Sequence, residues 1–247
     1  MLSSLAILIN NKCWLIDITP DFSLQLHMIQ NEYSNKIEIA GVFITHAHIG
    51  HYTGLLELGL EVMHTRNIPI YVMPKMKQFL EENAPFTQLI DLHNIELNEM
   101  VANTAVSLNE TISVTPFYVP HRNEFSETVG FQVKSKNTSL IYISDIDSWD
   151  DWDVDINYII KRNDIALLDG TFFDSDELGS RNIHDVPHPF IKDSLKRFSL
   201  LDRVDREKVY FTHFNHTNPL IRESRDELRK FEKHGCRLAQ DGMKFTL

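Results

Sequence analysis

The sequence predicts an α/β fold, a four-layer αββα sandwich in which two sheets pack face to face with helices outside. Strand-like apolar runs alternate with helical patterns in both halves of the chain, as this architecture requires. The chain has 247 residues, of which 43% are hydrophobic, so it can bury a large core. A fold of this size usually counts as one domain, and we expect residues 1–247 to form a single domain.

Nine short runs rich in β-branched and aromatic residues predict the strands. The third run ends a strongly apolar stretch that begins at Ile37, the fifth alternates apolar and polar residues, and the seventh is apolar up to a carboxylate. In chain order, the runs cover residues 5–9, 13–18, 41–45, 68–73, 112–119, 128–135, 139–144, 165–168 and 209–212.

Six intervening stretches predict helices. Thr19-Pro20 and Asn218-Pro219 are typical helix starts, because a capping side chain precedes a proline at the first turn. Gly235 is a typical stop after the last helix. The predicted helices cover residues 22–33, 55–64, 75–83, 155–161, 189–198 and 219–233.

Three histidines crowd into six residues at His46, His48 and His51, directly after the apolar run that ends at Thr45. Loops at strand ends are favoured positions for catalytic metal sites. Side chains at i and i+2 of an extended backbone point the same way, so His46 and His48 can bind one ion. His51 faces elsewhere, which suits a second metal or a supporting role.

This segment resembles the His-x-His-x-Asp-His motif of the metallo-β-lactamase-fold superfamily, with Gly50 in place of the usual Asp. In that family the Asp binds the second metal and can orient the attacking water. The resemblance implies further ligands in family order at His121, Asp145 and His213, each near the end of a predicted strand. It also implies that an early Asp braces the site from behind, as outer partners of metal ligands commonly do. That residue is Asp17.

Other segments resemble a closer branch, the pyrroloquinoline quinone biosynthesis B-type proteins. Members of that branch carry an additional N-terminal strand. We expect this chain to lack it, because Met1 is followed at once by a strand pattern, so either the protein is naturally short or its start is truncated. The resembling segments are Asp17-Ile-Thr-Pro-Asp-Phe with Gln25-Leu-His27, His48-Ile-Gly-His-Tyr-Thr-Gly-Leu, Leu168-Asp169-Gly-Thr-Phe, Pro187-His188-Pro-Phe and Asn215-His-Thr-Asn-Pro219.

The resemblance also implies that Asp169 pairs with His188. In phosphodiesterase members such a pair protonates the leaving oxygen, because a carboxylate orients the imidazole and raises its pKa. The alternative is that Asp169 caps a turn and His188 begins a helix. His184 and His216 are further candidates, and His216 could bind substrate or replace the carboxylate missing at position 50.

Composition narrows the functional class. The net charge is −11 and the lysines and arginines are scattered, which disfavours a nucleic-acid substrate. No apolar run approaches the roughly 20 residues that span a bilayer, and no basic segment precedes the N-terminal apolar stretch, so we expect a cytoplasmic protein. Two cysteines are too few for a disulfide framework, and Cys13 is expected to be a buried thiol. In the acidic run 145–153 only Asp145 is interpreted as chemical.

These observations predict a metal-dependent hydrolase in which a metal-activated water attacks an ester or phosphodiester of a small molecule. Zinc, as one or two ions, is expected from the nitrogen-rich ligands, while iron or manganese is also chemically reasonable. The first ion would be held by His46, His48 and His121, a second and weaker one by His51 and His213, with Asp145 bridging and Asp169 and His188 in catalysis.

Two other functional classes stay open. One is an iron-dependent, oxygen-using enzyme related to quinone cofactor biosynthesis, and the other is a non-catalytic protein that binds metal or a small molecule, as the loss of the carboxylate at Gly50 suggests. The expected partner is a small-molecule substrate, with a homodimer left open and neither nucleic acid nor a membrane expected. The fold hosts many chemistries, so the substrate is not named by the sequence.

Overall fold

The computed structural model describes residues 1–33, 36–179, 182, 185–222 and 225–247, so the candidate His184 lies outside the described residues. The chain divides into two compact units. The first comprises Met1–Thr104 and Asn123–Val129, and the second comprises Ala105–Arg122 and Gly130–Leu247. That all 247 residues act as a single domain stays a prediction.

The first unit is built on a five-stranded sheet with the strand order β1-β2-β3-β4-β5. β1 and β2 form an antiparallel pair, and the other neighbours are parallel. The central strands are almost wholly apolar, as expected for strands covered on both faces. The strands are β1 (Leu5–Ile9), β2 (Lys12–Ile16), β3 (Glu38–Phe43), β4 (Ile68–Val72) and β5 (Ile95–Glu99).

Helices of the first unit follow its strands and supply apolar side chains to a core of its own. Phe22, Leu55, Leu80 and Phe86 are buried in this core together with the central strands. A proline at the first position starts the third helix, where its missing N–H costs no hydrogen bond. The helices are α1 (Phe22–Glu32), α2 (Ile49–Tyr52), α3 (Pro74–Glu82) and α4 (Phe86–Asp91), with a 3₁₀ helix at Thr53–Leu58.

The second unit contains a seven-stranded sheet with the order β12-β11-β10-β9-β8-β7-β6. β9, β10, β11 and β12 run parallel to one another, whereas β8 is antiparallel to β9 and β6 to β7. The strands are β6 (Val106–Ser107), β7 (Ser113–Tyr118), β8 (Val129–Lys134), β9 (Ser139–Ile143), β10 (Ile165–Asp169), β11 (Val209–Thr212) and β12 (Arg237–Leu238).

The helices of the second unit pack on a separate apolar core that contains Ile143, Ile160, Leu168, Phe198 and Phe211. Asp155 caps the first of these helices, since its side chain accepts a hydrogen bond from the backbone N–H of Asn157 at 2.9 Å. The helices are α5 (Ile156–Arg162), α6 (Ile191–Phe198), α7 (Arg203–Arg206) and α8 (Arg225–Glu232).

The mixed α/β class with two sheets and flanking helices is confirmed, and all nine predicted strands are present within two or three residues of the expected bounds. Several short elements were not predicted from the sequence, among them α2, α4, α7, β5, β6 and β12. Most of these are too short to develop a periodic pattern. Within the described residues, no helix is long and apolar enough to cross a membrane.

The predicted helix at 55–64 is wrong. The chain forms a 3₁₀ helix over Thr53–Leu58 and then turns, because Gly59 takes an extended conformation with ψ 174°. His64 adopts a positive φ of 47°, which no α-helix contains. The apolar pattern of this stretch therefore reflects burial of single side chains rather than a continuous helix.

The predicted helix at 219–233 does not start at Pro219, because residues 219–222 form turns and the described helix covers Arg225–Glu232. The side chain of Asn218 accepts a hydrogen bond from the backbone N–H of Leu220 at 3.0 Å, and its carbonyl accepts one from Ile221 at 3.2 Å. These bonds close a turn where the Asn-Pro pair predicts a helix start. The predicted stop is present, since Gly235 follows α8 with a φ of 87°.

Candidate metal centre

The histidine loop of the first unit lies where two parallel strands end. Asp17 directly follows β2, and Thr45 and His46 follow the neighbouring strand β3. The carboxyl ends of parallel strands meet at one edge of a sheet, which brings these side chains together. A backbone hydrogen bond of 2.8 Å from Asp17 N–H to the Phe43 carbonyl joins the two strand ends.

Asp17 is fully buried and receives several donors. Its backbone has a φ of 64°, a conformation that costs energy outside glycine and that the surrounding contacts must hold. Its carboxylate accepts from the backbone N–H of Thr45 at 2.8 Å and from the Thr45 hydroxyl at 2.9 Å. His51 Nδ1 lies 2.7 Å from Asp17 Oδ2. Asp17, predicted to brace the site, thus contacts His51 and Thr45 directly, and its supporting role stays a prediction.

His46 and His48 direct ring nitrogens at the same point. His46 Nε2 and His48 Nδ1 are 2.9 Å apart, and the other nitrogen of His46, Nδ1, lies 2.9 Å from the Thr45 hydroxyl. His48 Nε2 lies 3.4 Å from a carboxylate oxygen of Glu124. Two imidazole nitrogens at this separation offer the paired donors that a zinc ion takes.

Gly50 lies in α2 and can accept a side chain. Its φ is outside the left-handed region, and a Cβ built on it meets no atom within 4 Å. Position 50 therefore does not require glycine for a positive φ. Gly50 and the Asp of the resembled motif therefore differ in the side chain and not in a backbone conformation that only glycine adopts.

In the second unit, three candidate site residues lie at or just after the ends of three neighbouring parallel strands, at one edge of the sheet. Asp145 lies two residues after β9, Asp169 ends β10 and His213 follows β11. Asp145 lies between two histidines: His121 Nε2 is 3.8 Å from its Oδ1, and His213 Nε2 is 3.5 Å from its Oδ2. The predicted strand-end residues of this unit thus meet around one buried carboxylate.

Asp147 corrects the interpretation of the acidic run. His121 Nδ1 lies 2.8 Å from Asp147 Oδ1, which also accepts from the backbone N–H of Arg122 at 3.3 Å. The sequence predicted a chemical role in this run for Asp145 alone. The run contains five closely spaced aspartates, and no local pattern distinguishes Asp147 from the others. Only its tertiary contact with His121 does so.

Asp169 and His188 form the pair that the sequence analysis predicted. His188 Nδ1 lies 2.7 Å from Asp169 Oδ2, while Oδ1 accepts from the Thr171 backbone N–H at 2.9 Å and from its hydroxyl at 2.7 Å. Asp169 therefore closes a turn and also orients an imidazole. His188 precedes α6, which begins at Ile191, so it does not act as a helix start.

The protonation of His188 follows from these neighbours. Burial lowers the pKa of His188, whereas the charge of Asp169, the hydrogen bond to it and the charge of Asp145 raise that pKa. The raising influences prevail, and the pKa of His188 lies above its ordinary value.

His213 is held by its own loop. It adopts a φ of 59°, and its Nδ1 lies 2.9 Å from the Thr171 hydroxyl. Asn218, fully buried, donates from its amide to the Gly170 carbonyl at 2.9 Å and so ties this loop to the segment after β10. His216 is exposed in the same loop, and its backbone carbonyl accepts a hydrogen bond from Arg222.

The donor set fits a metal ion. In the second unit His121, Asp145 and His188 are buried, and each offers one ligand atom within 4.8 Å of the others. Imidazole and carboxylate donors together suit zinc, iron or manganese. His188 is thus placed both as a partner of Asp169 and within reach of a ligand cluster.

A cavity of about 690 Å³ in the second unit gives access to this region. Asp147 and His188 line it, together with Phe190 and the charged side chains of Lys196 and Arg197. Both cations are paired with carboxylates, Lys196 with Asp193 and Arg197 with Asp150. A small molecule that enters this cavity can reach His188.

Comparison with known proteins supports the predicted resemblance. The model of a family described as "Beta-lactamase superfamily domain" matches residues 14–214. Coenzyme PQQ synthesis protein B of Cupriavidus taiwanensis is 27% identical over 258 aligned positions, which cover 94% of this chain and 83% of that protein. The resemblance to the quinone-biosynthesis B-type branch is confirmed.

Solved structures share the fold. Zn²⁺-bound PqqB from Methylobacterium extorquens aligns with a TM-score of 0.82 and 22% identity, covering 99% of this chain and 87% of that one. A diphosphatase from the PhnP family aligns with a TM-score of 0.68 and 21% identity, covering 98% of this chain and 82% of that one. The metallo-β-lactamase fold class is confirmed.

Proposed function

We propose a function from one premise: the chain belongs to the beta-lactamase superfamily. On that premise it is a metal-dependent hydrolase that acts on an ester or phosphodiester of a small molecule. The observation that carries the proposal is the buried His/Asp cluster of the second unit, in which the Asp169–His188 pair stands beside ligand atoms of His121 and Asp145. A hydrolytic neighbour of the same fold, the diphosphatase, supports this reaction class.

We propose zinc as the metal, as one or two ions, because the donors are mostly imidazole nitrogens and a similarly folded PqqB was solved with Zn²⁺. When bound, zinc supplies Lewis acidity and lowers the pKa of a water molecule toward neutrality. Iron and manganese suit the same donors. The proposed ligands are His46, His48, His51, His121, Asp145 and His213.

His188 is proposed as the proton donor to the leaving oxygen. Asp169 Oδ2 accepts a hydrogen bond from His188 Nδ1 at 2.7 Å, which fixes the orientation of the imidazole. Nε2 of His188 is then the ring nitrogen that can contact a substrate in the cavity. Asp169 is fully buried, and its carboxylate oxygens are hydrogen-bonded to His188 and Thr171. Asp145 would hold metal, since its buried carboxylate lies between His121 and His213.

The test combines metal content with turnover. Protein purified without chelator should contain between one and two zinc ions per chain by elemental analysis, and it should hydrolyse at least one member of a panel of esters and phosphodiesters. A metal-free sample should lose that turnover and regain it when zinc is restored. Turnover that survives complete metal removal would contradict the proposal.

A second candidate is favoured by the curated relatives. They carry the name Coenzyme PQQ synthesis protein B, so an iron-dependent enzyme that uses oxygen in quinone cofactor biosynthesis is the alternative. Iron-loaded and zinc-loaded samples should be compared for oxygen uptake and for ester hydrolysis. Uptake that only iron supports, without hydrolysis, would favour the alternative, and full metal content with neither activity would favour a binding protein.

The partner expected from the composition is a small-molecule substrate rather than nucleic acid or a membrane. A homodimer and a cytoplasmic location stay predictions of the sequence. Sedimentation of the purified chain would test the first of these.

A further inference from the structure

Each unit contains a threonine hydroxyl that lies between a buried aspartate and a histidine. In the second unit, Thr171 Oγ1 is 2.7 Å from Asp169 Oδ1 and 2.9 Å from His213 Nδ1. The aspartate is fully buried and the threonine nearly so. The proposed function uses Asp169 and His213 but assigns no task to the hydroxyl between them.

The direction of these two hydrogen bonds follows from chemistry. An ionised carboxylate can only accept, so the Thr171 hydroxyl donates its single proton to Asp169. The hydroxyl oxygen then has only lone pairs to offer His213, and Nδ1 of that ring must carry a proton to form the bond. In a neutral imidazole the other nitrogen, Nε2, then carries the lone pair. That atom lies 3.5 Å from Asp145 Oδ2.

The competing contact does not change this assignment. The Thr171 hydroxyl also lies 3.2 Å from His188 Nδ1, but that nitrogen is closer to Asp169 Oδ2, at 2.7 Å. A donor prefers the nearer and charged acceptor. The Thr171 hydroxyl oxygen therefore accepts a hydrogen bond from His213 Nδ1.

The first unit repeats the arrangement with different chain connections. Thr45 Oγ1 lies 2.9 Å and 3.0 Å from the two oxygens of Asp17 and 2.9 Å from His46 Nδ1. The same reasoning places a proton on His46 Nδ1 and a lone pair on Nε2, the nitrogen that faces His48. In each unit an aspartate thus orients one histidine directly and a second histidine through a threonine.

We propose that Thr171 is a positioning residue that holds His213 in the Nδ1-protonated tautomer, so that Nε2 is the ligand nitrogen. The proposal rests on the proposed function in one respect, that His213 binds metal. Removal of such a supporting partner typically weakens metal affinity about 10- to 100-fold.

The experiment uses the full chain with histidine labelled by ¹⁵N, in metal-free form and at a pH well above the ordinary histidine pKa. Long-range ¹H–¹⁵N correlation distinguishes the two neutral tautomers, and His213→Asn identifies the signals of that ring. In the wild type and in Thr171→Ser, His213 should be protonated at Nδ1. In Thr171→Val, which keeps the shape and removes the hydroxyl, the ring should populate both tautomers.

Thr128→Val is the matched control, because Thr128 is also buried and its hydroxyl has no hydrogen-bond partner within the described residues. It should leave the His213 signals and the zinc affinity unchanged. Zinc titration should show about 10- to 100-fold weaker binding for Thr171→Val, with recovery in Thr171→Ser.

Wild-type tautomer signals in a folded Thr171→Val would overturn the proposal, and so would an Nε2-protonated ring in the wild type. A wild type that binds no zinc would refute the proposed function, whereas the metal-free spectra would still decide the role of Thr171.

Discussion

At the scale of single residues, Gly50 stands where the resembled motif has Asp, so one proposed ligand of the second ion is absent from this chain. The position accepts a Cβ without a clash or a change of φ, so the missing carboxylate can be restored. One oxygen donor fewer on the His51 side should leave the second ion bound more weakly than the first.

Gly50→Asp should therefore raise the affinity for the second zinc ion. The reason is that a carboxylate beside His51 adds a charged ligand at the position where the resembled motif has one. Zinc titration monitored by elemental analysis would measure the change. Gly50→Asn is the matched control, since it adds nearly the same shape without the charge. Equal second-ion affinity in both variants would contradict the ligand argument.

Asp145 should matter more for metal content than His51. A carboxylate that bridges two cations is a ligand to both, so Asp145→Asn should lose more metal per chain than His51→Ala. Elemental analysis after gel filtration would compare the two variants. Full metal content in Asp145→Asn would remove the bridge, and Asp147, which contacts His121 from behind, would then be tested by Asp147→Asn.

His188→Ala tests catalysis against binding. If His188 protonates the leaving oxygen, the variant should keep its metal and lose turnover by about 10² to 10⁴. The loss should shrink for substrates with good leaving groups, which need little protonation. Rates on an alkyl and an aryl phosphodiester would show this difference. Unchanged alkyl turnover would exclude His188 from the mechanism, and loss of metal would make it a ligand.

At the scale of elements, the strands were predictable and the short helices were not. Buried strands are continuous apolar runs bounded by polar turns, and the chemistry of the site lies at their carboxyl ends, so Asp145, Asp169 and His213 could be found from the sequence. The stretch from Leu55 to His64 also looks periodic, yet the chain forms a 3₁₀ helix that ends at Leu58, and Gly59 follows it in an extended conformation. The local pattern of apolar and polar residues does not predict such a break in the helix.

Strand β2 leads to a prediction about Cys13. Burial raises the pKa of this thiol to about 12, and burial raises that of Cys236 to about 12 as well. Since the thiolate is the reactive form, neither cysteine should react with a disulfide reagent at about pH 8 while the chain is folded. Both should react in denaturant.

Glu110→Cys provides the positive control for this measurement, because residue 110 is exposed in a turn outside the site. Its thiol should react at once in the folded protein. Rapid modification of Cys13 or Cys236 under the same conditions would show that β2 or the segment near β12 opens readily.

At the scale of the whole molecule, the proposed ligands and the residues that contact them come from distant parts of the sequence, and local patterns do not predict the contacts between them. Family order located His121 and Asp145, but the contact of Asp147 with His121 and the hydroxyl link from Thr171 to His213 depend on tertiary structure. Asp and Thr residues near strand ends are common as turn formers, so their sequence positions alone do not distinguish support of a ligand from closure of a turn.

Metal removal should therefore lower the thermal stability of the chain. An ion that binds only the folded state at a hundredfold excess over its Kd stabilises by about 2.7 kcal/mol. For a chain of this size that corresponds to a rise in Tm of roughly 5 to 10 °C. Calorimetry of the zinc-loaded and the metal-free protein would measure the shift. Asp145→Asn should show a smaller rise, because a neutral amide replaces the buried carboxylate between His121 and His213. An equal rise in both proteins would mean that the stabilising ion binds away from Asp145.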